Sequence, residues 1–134
     1  MGRASLDSTG LKQKESSLQL AERGGTITRR YRYTIMANPI TITATENTEY
    51  TLVNINIEGG TCEPADIKSL DIPTVKGNKG VILNGRAPIW VFGTLIHHFH
   101  ATQWVATNDP RQGGAIVVES HKSGVSVGDI IPLS

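Results

Sequence analysis

Polar and apolar positions along this chain follow two periods, and the change between them marks out the elements. From Ile40 the side chains alternate. "ITITAT" and "YTLVNINI" each place every second residue on one face, with Val53, Ile55 and Ile57 together and Asn54 and Asn56 opposite. That alternation predicts two half-buried strands broken at "ENTE". "VILN" is a short apolar run closed by Gly85, the pattern of a buried strand. "PIWVFGTLIHHFH" then departs from alternation. Its first nine residues are nearly all apolar, which predicts a helix with most of its circumference buried. "QWVAT", "AIVVES" and "DIIPL" return to strand, separated by "NDPRQGG" and "HKSGVSVG". "CEPADIKSLDI" carries Pro64 near a first helical turn, with Thr61 as its cap and Ile67 and Leu70 on one face.

Strands interleaved with helices give an α/β class. The expected architecture is a single small Rossmann-like domain, a mixed sheet of five to six strands with two main helices. "VILN", the helix and "QWVAT" form a βαβ unit, so those two strands should be parallel and the crossover right-handed. No internal repeat is visible.

Residues 1–35 read differently. They are rich in Ser, Gly, Arg and Thr without a strong period, which suggests a flexible, disordered basic leader ahead of an α/β domain at 36–134. Residues 1–36 carry seven Lys+Arg against three Asp+Glu, and residues 37–134 carry six against nine. The globular part is therefore no polybasic nucleic-acid surface, and an anion must be held by a few placed groups. The single Cys62 excludes an internal disulfide, and no apolar run approaches the ~20 residues of a membrane span. These features point to a cytoplasmic protein.

Two clusters carry the chemistry. In a βαβ unit, ligands sit outside the carboxyl ends of the parallel strands. Gly85, Arg86 and Pro88 follow the first strand there, and Asp109 and Arg111 follow the second. A helix N-terminus and two guanidinium forks at one edge suit a phosphate. At the helix's other end stand His97, His98 and His100; His121 completes the set of four histidines. His97 and His100, three apart, share a helix face. Imidazoles there can move protons near neutral pH or hold a metal, with Asp109, Glu119 and His121 as further donors. A helix of about 12 residues spans roughly 18 Å, so these edges lie at opposite ends of one subunit. Either they are unrelated, or a site closes between subunits.

"NGRAPIW", "HHFH", "WVATNDPRQGGAIVVESH" and "VGDII", in this order from Tyr50 to Leu133, resemble the third ring nuclease family of type III CRISPR systems, within the CRISPR-associated Rossmann fold superfamily. The resemblance implies a phosphodiesterase that degrades the second messenger cyclic tetra-adenylate. It also implies action on short RNA 3′ ends, use of manganese (Mn2+), and homodimers stacking into a tetramer or filament around the ligand. It places catalysis on His100, Asp109 and Arg111, the other motif histidines on His97 and His121, and the Gly-Arg turn on Gly85 and Arg86. From the residues themselves, Pro88 at the helix start and Asn54 on the polar strand face join Gly85 and Arg86 as expected substrate contacts, and His97, Asp109 and His121 are the expected metal ligands. The chain departs from the family at "QGG", an extra residue expected to shift the turn after Arg111. A non-catalytic sensor of cyclic oligoadenylate is the competing expectation. Trp90 and Trp104 are read as core residues, and His98 is assigned no role.

Overall fold

In the computed structural model, residues 11–23 and 26–133 are described, with side chains from Asn38 onward. Among the described residues, eight strands form two sheets. β1 (Leu11–Arg23) and β2 (Thr26–Ala37) pair antiparallel as a two-stranded sheet of their own. They occupy most of the segment that the sequence reading sets apart as a leader; residues 1–10 and 24–25 of that segment lie outside the described residues.

The six-stranded sheet follows chain order: β3 (Ile40–Glu46), β4 (Tyr50–Ile57), β5 (Gly80–Gly85), β6 (Trp104–Asp109), β7 (Gly114–Ser120) and β8 (Ile130–Ile131). β4, β5 and β6 are parallel, and the outer pairings are antiparallel. The expected α/β domain with a mixed sheet is what forms. Its parallel centre has a simple cause. Two consecutive crossovers return the chain to the same edge. The first is a 3₁₀ helix at Pro64–Ser69, and the second is α1 (Ile89–His98).

Both crossovers cover the same face. Val53, Ile55, Val81, Leu83 and Val105 meet Val91, Leu95 and Phe99 from α1, with Ile67 and Leu70 packed at the side. The opposite face carries Tyr50, Ile82, Trp104, Ala106 and Val117 beneath Val125, Ile131 and Leu133. Trp104 is buried there and Trp90 packs against the α1 core, so both serve packing as the pattern suggested.

The helix differs from its reading in two ways. It ends at His98, so His100 lies in the turn beyond it. Only Val91, Leu95 and Phe99 on it and its cap are fully buried, and Ile89 is 86% exposed. A single helix on one sheet face has just one apolar neighbour, so its outer side gains no cover among the described residues. The 3₁₀ segment is capped by Glu63 rather than Thr61. Asp66 returns its carboxylate to the Glu63 N–H at 2.7 Å, completing a reciprocal capping box. The 3₁₀ turn at Pro110–Gln112 follows β6, and Gly113, at φ 81°, takes the left-handed conformation that ends it. Among the described residues no helix is long and apolar enough to cross a membrane.

Candidate functional site: two edges of one sheet

The histidine edge is set by the turn between α1 and β6. Thr102, 5% exposed, donates its hydroxyl to the Phe99 carbonyl at 2.8 Å, with the Trp104 carbonyl 3.1 Å away. This clamp fixes His100 just outside the helix. The His97 and His100 rings stack 5.8 Å apart at 19°. β7 supplies the rest. The backbone N–H of His121 donates to Gln103 O at 2.8 Å, tying His121 to the start of β6. The His100 and His121 rings are 6.3 Å apart, and His121 Nε2 lies 3.2 Å from Glu119 Oε2. One donor atom from each of His100, Glu119 and His121 lies within 4.8 Å of the other two. Gly93, Ile96, His97, His100 and Glu119 line a pocket of about 340 Å³ beside them. His98 faces a different pocket, with Ile72 and Thr74, and packs edge-on against Phe99.

The donor chemistry fits a borderline divalent cation. Two imidazole nitrogens and one carboxylate oxygen are acceptable to manganese or zinc and leave coordination positions open. Within one subunit this group overlaps the set expected from sequence without matching it. His121 belongs to it. Asp109 does not, and Glu119 stands in its place. His97 stacks on the group without supplying one of its three atoms.

Within one subunit the sheet keeps Asp109 away from this group. Asp109 ends β6, whereas His121 is tied to Gln103 just before β6 begins. Six residue steps along the strand separate Gln103 from Asp109, about 20 Å at ~3.3 Å each. At its own edge Asp109 grips Arg111. Its carboxylate accepts from the Arg111 backbone N–H at 3.1 Å, from Nε at 3.2 Å and from Nη2 at 3.4 Å. These bonds hold the Asp109 carboxyl below its ordinary range, the side-chain bond from Arg111 foremost, and raise Arg111 in turn. The guanidinium is 87% exposed, so Asp109 orients it without covering it.

Gly85, Arg86 and Pro88 line a pocket of about 800 Å³ at this same edge, with Ile55, Asn56 and Gly60. Gly85 sits at φ 145°, and a Cβ there would meet the Ile55 carbonyl oxygen at 2.3 Å. Only glycine lets the chain turn from β5 toward α1 so close to β4. No side chain caps α1 at Pro88, which leaves its first N–H groups open toward the edge. Asn54 lies on the sheet face away from α1 and accepts from Asn84 at 2.9 Å.

The structure therefore brings together His97, His100 and His121 at one edge. At the other it brings Gly85, Arg86 and Pro88 to one pocket, and Asp109 to Arg111. It does not bring His100 to Asp109 and Arg111 within one subunit. Glu119 was weighed from sequence only as one of several spare donors. Its signal was the Glu-x-His spacing across the end of β7, since residues two apart on extended chain project to the same side.

A family model described as "CRISPR-associated protein (Cas_csx3)" matches residues 55–132, more than half of the chain and all of the parallel core after mid-β4. The chain is also 44% identical over 72 residues to an uncharacterized protein of Aquifex aeolicus (strain VF5). That alignment spans 51% of this chain and 65% of the relative's length. With the matched stretch holding both edges, the chain belongs to the Csx3 family of CRISPR-associated proteins.

Proposed function

We propose that this chain is a ring nuclease. It is a phosphodiesterase that opens cyclic tetra-adenylate, thereby switching off type III antiviral signalling, and it trims short RNA 3′ ends with the same groups. Family membership supports the defence context. The observation that carries the chemistry is the His100–Glu119–His121 cluster, whose donor atoms lie within 4.8 Å of one another.

Opening a phosphodiester requires deprotonation of the attacking oxygen, neutralisation of charge on the phosphoryl group and a proton for the leaving oxygen. Manganese held by His100, Glu119 and His121 would supply Lewis-acid polarisation there. Without a metal, an unprotonated ring nitrogen of His100 takes the proton of the ribose 2′-hydroxyl, the 2′-oxygen bonds to phosphorus as the P–O5′ bond breaks, and water returns a proton to the departing 5′-oxygen. Glu119, 3.2 Å from His121 Nε2, keeps that imidazole oriented. Arg111 donates its exposed fork to the non-bridging oxygens, and Asp109 fixes the direction of that fork. Gly85, Arg86 and the open end of α1 hold a second phosphate.

These groups occupy two edges, so the reading requires a homodimer or a stack in which one subunit's histidine edge meets another's arginine edge around the ligand. Incubation with labelled cyclic tetra-adenylate tests it. Linear product, lost in His100→Ala and reduced by chelation of manganese, is expected. A ring that stays intact while remaining bound would assign a non-catalytic sensor instead. A ring neither bound nor cut would refute both.

A further inference from the structure

Of one row of side chains only Asn54 has entered the reading above, as an expected substrate contact. Asn54, Asn84 and Asn108 stand at matching positions on β4, β5 and β6, on the face away from α1. Asn54 registers with Asn84, and Asn108 registers with Ala115 on β7. Asn84 Nδ2 donates to Asn54 Oδ1 at 2.9 Å, and Asn108 Nδ2 donates to Asn84 Oδ1 at 2.9 Å. All three are half-buried. Asparagine is depleted in strands, and one aliphatic row would pack better here. Three amides chained in register need another reason.

The chain of bonds couples the orientation of all three amides. Asn84 uses its amide nitrogen toward one neighbour and its oxygen toward the other, so no single amide of the row can turn over alone without losing a bond, and the three keep one common sense. Asn108 is thereby held with its nitrogen toward Asn84 and its oxygen away. Among the described residues nothing bonds that oxygen or the second N–H beside it. One acceptor and one donor, side by side and fixed in direction, match the N6 amino group and N7 of adenine in a paired contact. Guanine and hypoxanthine offer an acceptor at both positions and match only half of it. Asn108 immediately precedes Asp109, whose carboxylate directs Arg111.

We propose that this asparagine row reads an adenine base, with Asn108 as the specificity-determining residue that touches the base edge and Asn84 as the positioning residue that aims it. This rests on the ring nuclease reading for the kind of ligand and adds which groups select its base.

The test uses the full chain, manganese-free, with fluorescent linear tetra-adenylate and linear tetra-inosinate RNA as probes in an anisotropy titration. The wild type is expected to bind the adenylate about tenfold or more tightly, the discrimination of one good paired contact. Asn108→Leu should bring the ratio to about one. Asn108→Asp keeps the shape but has no N–H for N7, and it should also lose the preference, so a folding defect in the leucine variant does not decide the matter. Asn84→Leu should lower the ratio with Asn108 intact, which a merely structural residue would not do. Equal binding of both probes by a wild type that still opens the adenylate ring overturns this inference and leaves the proposed function standing. A ratio unchanged in Asn108→Asp also overturns it. A wild type that binds neither probe and opens no ring overturns both.

Discussion

Replacing Gly85 by alanine should strike the fold and the arginine edge together. At φ 145° a side chain is strained wherever it stands, and the added methyl would lie 2.3 Å from Ile55 O and 3.1 Å from the Ile55 carbonyl carbon and Cβ. The obstacle is backbone belonging to the neighbouring strand, so no rotamer change relieves it. Backbone strain of this kind costs about 1–3 kcal/mol. Forcing the ends of β4 and β5 apart removes a ladder hydrogen bond worth roughly another 1 kcal/mol. The sum, about 2–4 kcal/mol, corresponds to a melting temperature about 10–30 °C lower for a domain of this size. Gly93→Ala is the matched control. Gly93 is inside α1 with nothing within 4 Å of an added Cβ, and the same substitution there should stabilise by about 1 kcal/mol. Urea melts followed by the fluorescence of Trp90 and Trp104 give both values. Two variants that shift the midpoint by similar amounts in the same direction would refute the reasoning, because it requires opposite signs.

Glu119→Gln keeps the shape of the cluster and removes its only charged donor; manganese affinity, read by calorimetry or by the electron spin resonance of free manganese, should fall by about tenfold or more. Unchanged affinity would place the metal elsewhere. The Asp109–Arg111 pair makes a statement about pH. Because the folded carboxyl is depressed, the pair contributes above the ordinary carboxylate range and is lost only as pH falls through the lowered value. A carbon-13 titration of Asp109 should therefore have its midpoint below 3.8, the ordinary aspartate value, and Arg111→Ala should raise it. A midpoint at or above 3.8 would contradict the geometry.

How far the chain could be read before folding follows from what each signal encodes. Alternation at "YTLVNINI" names both the strand and its buried face, since Val53 and Ile55 have no other way to leave water. The βαβ order then places Gly85 with Arg86 at one edge and the histidines at the other. Burial of α1 was overread because an apolar composition cannot show how many neighbours a helix will have. Which carboxylate lies beside the histidines within one subunit was open for a related reason: Asp109 and Glu119 are both near histidines in sequence. Only the antiparallel return of β7 decides that Glu119, opposite Val105, comes back to the histidine edge. The asparagine row was half visible. Asn54 stood out on the polar face of β4, but its alignment with Asn84 and Asn108 depends on register, which no single strand specifies.

The claim on which the account turns is that His100 and Arg111 work together although β6 holds them at opposite edges. His100→Ala and Arg111→Ala proteins should each be inactive on cyclic tetra-adenylate. Mixed in equal amounts and allowed to exchange, they should recover about one quarter of wild-type turnover, because a site needs an intact histidine edge from one copy and an intact arginine edge from another. Mixtures that stay inactive at every ratio, while each variant remains folded and self-associates like the wild type, would contradict it.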